Sequence, residues 1–310
     1  MSITMKFSRR AFSASLLLPS GFALAAKHAV TRFKLMSFNM WVGGTASGST
    51  PTDLANAVKT AGADVVGMQE TDGNGEDVSK EVAKLLGWNH LQQGGRTAVI
   101  SRFRIMGATP RKWGVFLEIK PETRICVFNC HFAPAPYQPY QLLDIPYGNA
   151  PFIKTEQEAI EWAVKSRGAQ VQRMLGELDE VRKQAVPIFV TGDFNEPSHL
   201  DWTQAAAKAG LHPIKVEYPT TKTIMEHGFV DAFREQHPDP VRRPGFTWTR
   251  LTEVDDPKDH HDRIDFVLAD QERSKVLDCK VVGESKSKAD LVLNPWPSDH
   301  RAVVATIKLR

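Results

Sequence analysis

Apolar residues in this chain gather into short, dense runs separated by polar turns. The runs are "FKLMSF" at 33–38, "DVVGM" at 64–68, "TAVIS" at 97–101, "GVFLEI" at 114–119 and "RICVFNC" at 124–130. Later come "PIFVTG" at 187–192, "RIDFVLA" at 263–269, "KVLDCKVVG" at 275–283 and "AVVATIKL" at 302–309. Runs of this length, rich in Val, Ile and Phe, predict buried strands. Helices are predicted between them. Pro51 suits a first helical turn and Gly62 a stop, so "PTDLANAVKTAG" reads as a helix, and "EDVSKEVAKLLG" at 76–87 likewise ends on glycine. The longest helix is predicted from Thr155, where Thr155 and Glu158 form a Thr-x-x-Glu capping box, to about Lys183, with a weak point at Gly168. Strands mixed with helices, with several hairpin-length gaps, predict two sheets packed face to face and covered by helices. No linker divides 31–310, which reads as one domain.

One segment fits neither pattern. Residues 133–153, "APAPYQPYQLLDIPYGNAPFI", are rich in Pro and Tyr and lie between a strand and a helix. Connections this long inside a compact domain are uncommon and usually functional. A substrate lid carrying Tyr137, Tyr140 and Tyr147 is one reading; tyrosines packed on the scaffold is the other.

Composition adds little until the N-terminus is set apart. With 42% hydrophobic and 24% charged residues, disorder and collagen-like repeats are excluded. Residues 6–26 read "KFSRRAFSASLLLPSGFALAA": basic residues, a short apolar stretch, then Ala23-Leu24-Ala25. That order predicts a secretory signal peptide over 1–25, and hence export to a periplasm or the medium. The stretch is too short, and too broken by Pro19 and Gly21, to span a bilayer; an uncleaved N-terminal anchor is the alternative. Ser8–Phe12 resembles a twin-arginine signal, although Ser13 and Ala14 stand where an apolar residue and Lys are usual. The segment holds Lys6, Arg9 and Arg10 and no acid, so its removal leaves 36 basic and 36 acidic residues. The remaining chain is near neutral, and nothing in its charge demands a polyanionic partner.

The three cysteines, Cys126, Cys130 and Cys279, are an odd number. Cys126 and Cys130 lie four apart on one predicted strand, too far along an extended chain to bond, so buried thiols are expected. "DDPKDHHDR" at 255–263 suggests a metal site at first sight. His260 and His261 are adjacent, however, so their side chains diverge, and a solvated loop is expected.

Polar residues collect where the strands end. They are Asn39 in "SFNMW", Glu70 in "GMQET", His131 in "FNCHF", Asp193 and Asn195 in "TGDFNE", Asp265 in "RIDF", and Asp299 and His300 in "PSDHR". Singly, an Asn or a Gly-Asp-Phe-Asn is an ordinary turn and a lone His an ordinary structural residue. Asp265 is more telling, because an acid inside an apolar strand needs a partner.

Asn39, Gln69-Glu70, "GDFN" at Gly192–Asn195, "RID" at Arg263–Asp265 and "SDH" at Ser298–His300 occur in this order over about 35–310. The set resembles the endonuclease/exonuclease/phosphatase superfamily, related to deoxyribonuclease I. The resemblance implies an α+β fold, a four-layer αββα sandwich of two mainly antiparallel sheets flanked by helices. It also implies a divalent cation, usually Mg²⁺ with Mn²⁺ or Ca²⁺ as alternatives, and hydrolysis of phosphate esters. A phosphate ester repels an incoming nucleophile, and a hard cation on oxygen ligands removes that repulsion. Glu70 is the expected metal ligand, with Asn39 offering a carbonyl oxygen and Asp299 a further ligand. His300 is the expected base, held by Asp265; Asp193 and Asn195 would position the nucleophile and hydrogen-bond phosphoryl oxygens. His131 stands where abasic-site endonucleases of the superfamily usually carry Tyr, whereas deoxyribonuclease-like enzymes, sphingomyelinases and inositol-phosphate phosphatases carry His. It would contact the phosphate or protonate the leaving oxygen. Trp41 stands where some repair enzymes place an extra acid, which favours a single metal.

The expected activity is therefore that of an exported Mg²⁺-dependent phosphoric ester hydrolase acting on a small or lipid-derived diester or monoester. A secreted deoxyribonuclease I-like nuclease is the alternative, and a non-catalytic binding module the remote one. Substrate contacts are expected from Arg96, Tyr137, Tyr140 and Trp248, with solvated or core-packed side chains as the plainer reading of each. Nucleic acid is a less favoured partner, because no Lys/Arg-rich stripe with interleaved aromatics is present. No long hydrophobic hairpin is evident, so stable membrane insertion is not expected, and the chain is expected to be a monomer.

Overall fold

The computed structural model describes residues 1–2 and 31–310; the expected signal segment, apart from its first two residues, lies outside them. Two large mixed sheets form the centre. The first orders its strands Leu291–Val292, Ser274–Gly283, Ala302–Leu309, Arg32–Asn39, Val65–Gln69, Thr97–Ser101 and Asn89–Gly94. The second runs Phe229–Asp231, Asp265–Asp270, Ile188–Asp193, Thr123–His131, Gly114–Lys120 and Arg104–Ala108. Most neighbours are antiparallel. Each sheet has a parallel pair at its middle, Arg32–Asn39 with Val65–Gln69 and Ile188–Asp193 with Thr123–His131.

Alternation along the strands builds four layers. Leu35, Val65 and Val303 of the first sheet meet Ile125, Val127, Phe189 and Val267 of the second in the central core. The intervening Met36, Phe38 and Val66 face the other way, against Leu54 and Val58 of helix Pro51–Ala61 and Val82 of helix Val78–Leu86. On the far side Cys126, Phe128, Val190 and Leu268 pack on Val171, Met174 and Leu178 of helix Ala169–Arg182. The fold is the expected αββα sandwich. All three cysteines are buried free thiols, and Cys126 and Cys130 share one outward face. Among the described residues no helix is long and apolar enough to cross a membrane.

The two sheets touch through a polar bridge as well as an apolar core. Asn129 donates from Nδ2 to Met68 O at 3.0 Å and to Gln93 Oε1 at 2.9 Å. Its Oδ1 accepts from Gln69 Nε2 at 2.7 Å and Thr191 Oγ1 at 3.1 Å. All of these except Gln93 are fully buried, and the pairings satisfy groups that would otherwise be costly to desolvate. Gly67 makes the approach possible: a Cβ there would stand 2.0 Å from Thr191 Oγ1 and 2.4 Å from Asn129 Oδ1.

The long helix is interrupted near the expected weak point. Glu156–Ala163 and Ala169–Arg182 are joined by a single π-helical turn, Val164–Gly168. That turn carries Arg167 fully inside, where it donates to Gln138 Oε1 at 2.7 Å and Pro136 O at 3.0 Å and pairs with Glu196 at 3.5 Å. The Pro/Tyr segment is thereby tied down, and contains a short helix, Gln138–Leu142.

The segment 255–263 departs from expectation. It is largely exposed as far as Lys258, but His261 and Asp262 are buried. The reason is backbone pairing of Asp262 with Trp248, at 2.7 and 2.9 Å, which draws the end of the loop under residues 246–249. The two imidazoles do diverge: His261 meets Thr252 Oγ1, and His260 meets His212. Next along, Arg263 is buried between the rings of Phe233 and Phe266 and pairs with Asp201 at 2.9 Å and Asp231 at 2.7 Å.

Two substitutions probe this scaffold by chemical denaturation. Gly67→Ala should cost about 3 kcal/mol or more, because neither Thr191 nor Asn129 can withdraw without breaking the bridge. Arg263→Ala should cost about 3–5 kcal/mol, since it strands the buried Asp231 carboxylate and leaves Asp201 with Arg234 alone. Near-native midpoints in either variant would contradict these assignments.

Candidate active site

Register places the site before any side chain is considered. In the second sheet His131, Asp193 and Asp265 are cross-strand partners on three adjacent strands, so all three point to one face. In the first sheet Asn39 is the partner of Gln69, and Glu70 follows at once. These ends meet at one rim. Glu70, Trp41 and Val42 adopt left-handed backbone, with φ of 53°, 49° and 55°. Non-glycine residues seldom sit there, and the strain turns the Glu70 carboxylate back so that Oε2 accepts from Val42 N at 3.0 Å.

His300 is fixed from both sides. Ser298 Oγ donates to Asn39 O at 2.7 Å and accepts from His300 N at 3.1 Å, while Trp296 Nε1 donates to His300 O at 2.6 Å. The ring's Nδ1 lies 2.9 Å from Asp265 Oδ2, and its Nε2 lies 3.8 Å from Asp193 Oδ2. Thr247 Oγ1 accepts from the backbone of Ile264 and Asp265, holding the acid in place. His131 Nε2 approaches Asp193 Oδ2 at 3.5 Å and Glu70 Oε1 at 3.9 Å. Asn195, itself left-handed at φ 50°, donates its backbone N–H to Asp193 Oδ1 and its Nδ2 to Phe132 O. It therefore shapes the turn that aims Asp193.

These groups floor a cleft of about 410 Å³ walled by Trp41, Pro134, Tyr137, Tyr140, Tyr147 and Trp248. Tyr137, Tyr140 and Tyr147 stack edge to face in succession. The hydroxyls of Tyr137 and Tyr140 turn away to donate to Asp262 and Asp259, so these two side chains wall the cleft while packing on the scaffold. Trp248 lies 4.8 Å from the His300 ring. The expected packing of the tyrosines on the scaffold is what the structure shows, with their rings also lining the cleft.

Two expectations need correction. Asn39 does not turn a carbonyl toward the acids. Its Oδ1 accepts from Trp41 N at 2.9 Å, and its Nδ2 faces Asp193 Oδ2 at 2.9 Å and Glu70 Oε1 at 3.3 Å. It is a donor that bridges carboxylates, not an oxygen ligand, because the tight turn at Trp41 claims its carbonyl. Arg96 stands outside the cleft lining, engaged by Glu70 at 3.8 Å and Asp72 at 3.9 Å.

The electrostatics fit a divalent cation. Burial, reinforced by Glu70 and Asp193, pushes the Asp299 carboxyl up to about 6. No Lys or Arg is among the residues lining the cleft. Glu70 and Asp299 thus offer hard, charge-rich oxygens offset by Arg96 alone, which stands 3.8 Å from Glu70 and outside the lining, the donor chemistry Mg²⁺ or Ca²⁺ takes. Asp193, Asp265 and His300 form a tighter group whose ligand atoms lie within 4.8 Å of one another. Its Asp265–His300 hydrogen bond orients an imidazole instead. Burial disfavours the charged His300 ring, but Asp265, Asp193 and Asp299 outweigh it and hold the imidazole well above its ordinary value.

Fold and site together define a class of phosphoester hydrolase. The chain belongs to the Endonuclease/Exonuclease/phosphatase family, whose sequence model matches residues 36–300 and whose members hydrolyse phosphoester bonds, typically with a divalent metal. It is similar to the uncharacterized protein F14F9.5 of Caenorhabditis elegans, 27% identical over 296 residues that span 88% of this chain and 90% of that one. Among solved structures it shares its fold with an AP endonuclease from Archaeoglobus fulgidus, at 19% identity and a TM-score of 0.53, covering 88% of this chain and 98% of that one. A truncated Caenorhabditis elegans TDP2 has a TM-score of 0.53 at 17% identity, covering 89% and 97%. The 3′ phosphatase NExo from Neisseria has 0.54 at 15%, covering 88% and 98%.

Sequence reading missed the residues that support the site. Ser298 was visible only as part of "SDH", and Thr247 carries no motif at all. Trp41 was noted only for an acid it replaces.

The Asp265–His300 pair makes a pH prediction for metal-free protein. A raised folded value means His300 contributes stability fully below its unfolded value of about 6.5 and loses that contribution as pH climbs through the folded value. Asp265→Asn removes the main cause. The stability gap between wild type and Asp265→Asn should therefore narrow as pH rises above about 6.5, and nitrogen NMR should show the His300 ring titrating lower in the variant. An unchanged titration would refute the pairing.

Proposed function

We propose that this protein is an exported, divalent-metal-dependent phosphoesterase that hydrolyses a phosphodiester or phosphomonoester bond of a small or lipid-derived substrate, with His300 activating the attacking water. The observation that carries this reading is the His300 geometry. Its Nδ1 is fixed on Asp265 at 2.9 Å, and its Nε2 faces the acid-lined cleft.

In the neutral ring, which a cation balancing the nearby acids would favour, the Asp265 hydrogen bond keeps the proton on Nδ1 and Nε2 is the acceptor that takes one from water. Asp193, 3.8 Å from Nε2, is placed to orient that water, and Asn195 and Asn39 hold Asp193 by hydrogen bonds to its two oxygens. His131 approaches the same oxygen of Asp193 as His300 does, at 3.5 Å, and would donate to a phosphoryl or leaving oxygen. A divalent cation on Glu70 and Asp299, Mg²⁺ in the first instance, would neutralise the phosphate and polarise its P–O bond.

Two features support a compact substrate over a nucleic acid. The cleft is enclosed by aromatic rings, which suit a small organic or lipid-derived group. It also has no Lys or Arg in its lining, whereas a polynucleotide is usually held through several phosphate contacts. Export rests on the N-terminal sequence pattern alone.

The purified protein with Mg²⁺ should hydrolyse bis-p-nitrophenyl phosphate, p-nitrophenyl phosphate, sphingomyelin or inositol phosphates in preference to plasmid DNA and RNA. Plasmid cleavage far faster than the small esters would replace this reading with the nuclease one. Chelation should abolish turnover. His300→Ala should reduce kcat by at least about a hundredfold with an unchanged circular dichroism spectrum. Near-native turnover in that variant would remove His300 from the mechanism. For export, the protein recovered outside the cytoplasm should begin near residue 26, and retention of residues 1–25 in the cytoplasm would count against it.

A further inference from the structure

A second set of ligating side chains lies outside the cleft. His212 follows the helix Gln204–Lys208, and His260 and Asp262 come from the segment that dips under residues 246–249. His212 Nδ1 and His260 Nε2 are 3.1 Å apart, and they lie 4.0 and 3.9 Å from Asp262 Oδ1. A point equidistant from three atoms with these separations is about 2.1 Å from each, within the bond lengths zinc makes to imidazole nitrogen and carboxylate oxygen.

The surroundings favour a cation at that point. Asp262 is 1% exposed, and its hydrogen-bond partners are neutral: Trp202 Nε1 on Oδ1 at 2.7 Å and Tyr137 OH on Oδ2 at 2.6 Å. A buried carboxylate with no cation beside it is costly. Neither imidazole supplies the missing partner, since His212 and His260 come no closer to Asp262 Oδ1 than 4.0 and 3.9 Å, beyond hydrogen-bond reach. The Trp202 ring stacks on His212 at 4.3 Å and also donates to Asp262, so one side chain orients two of the three ligands. His212 and His260 also line a cavity of about 390 Å³, which gives room for a water as fourth ligand and a way in.

We propose that His212, His260 and Asp262 form a structural site for a borderline transition metal, Zn²⁺ fitting best, separate from the hydrolytic centre. Two imidazoles and one carboxylate suit Zn²⁺, Co²⁺ or Ni²⁺ and discriminate against Mg²⁺, which asks for oxygen. The site braces the cleft from behind. Asp262 holds the Tyr137 hydroxyl through its other oxygen and pairs with the backbone of Trp248, so two aromatic walls hang from one ligand.

The test is metal uptake by the full chain, stripped with chelator and then dialysed against Zn²⁺ or Co²⁺ in excess Mg²⁺. Wild type and Glu70→Gln/Asp299→Asn should each retain one Zn²⁺, and Co²⁺ should give the visible absorption of a four-coordinate N/O site. His260→Ala should bind Zn²⁺ more weakly by more than about a hundredfold, the upper end for loss of a mere supporting partner. His260 is the nearest of the three to the surface, so that variant should stay folded, as near-ultraviolet circular dichroism of the metal-free form will show. A Zn²⁺-dependent rise in melting temperature, present in wild type and absent in His260→Ala, is expected as a second readout. Equal uptake by wild type and His260→Ala, or none by the Glu70→Gln/Asp299→Asn protein, would overturn the site and leave the imidazoles as a simple hydrogen-bonded pair.

Discussion

The close approach of the two sheets at Gly67, Asn129 and Thr191 is the constraint on which the rest of this structure depends. Side chains alternate along a strand, so residues two apart share a face. Ser37, Gly67, Asn129 and Thr191 form one layer between the sheets, and Asn39, Gln69, His131 and Asp193 form the next layer toward the rim. The bridge therefore sits directly beneath the candidate site. Its hydrogen bonds fix the spacing between sheets at the place where residues of both converge on one cleft. An apolar filling would hold the sheets together without fixing where along the strands they touch.

Above that bridge the site is built from unbalanced charge. Glu70, Asp193 and Asp299 share a cleft whose lining has no Lys or Arg, and Asp265 is buried outright. The scaffold supplies the stability that such crowding removes. The Arg263 pairs with Asp201 and Asp231, the capped helices and the apolar layers all lie away from the rim. The left-handed residues, by contrast, include Trp41, Val42, Glu70 and Asn195 at the cleft itself. Like charge, and part of the backbone strain, thus lie where binding of a cation and substrate can relieve them.

Much of this was legible in the sequence because burial leaves a one-dimensional trace. Apolar runs at 33–38, 97–101, 187–192 and 302–309 became strands, and Thr155 with Glu158 became a true capping box. The polar residues at strand ends were found because polarity breaks those runs, and all eight core residues line the cleft or touch those that do. What could not be read depends on orientation. Nothing in "SFNMW" says that the Asn39 carbonyl is claimed by Trp41, nor that Arg96 is held outside the cleft by Glu70 and Asp72. The burial of His261 and Asp262 follows from pairing with Trp248, a contact between segments that no local pattern encodes. The π turn around Arg167 left only a glycine as its sign.

The alignment of His131, Asp193 and Asp265 across neighbouring strands carries one more consequence. A slip of any one of these strands by a single residue would turn its site residue into the outer layer and bring an apolar neighbour to the rim. Under the proposed function, a working centre therefore requires correct pairing of these strands. Hydrolytic activity doubles as a fidelity assay for folding: a chain that has closed its sandwich in the wrong alignment can be compact and still carry no trace of a working centre.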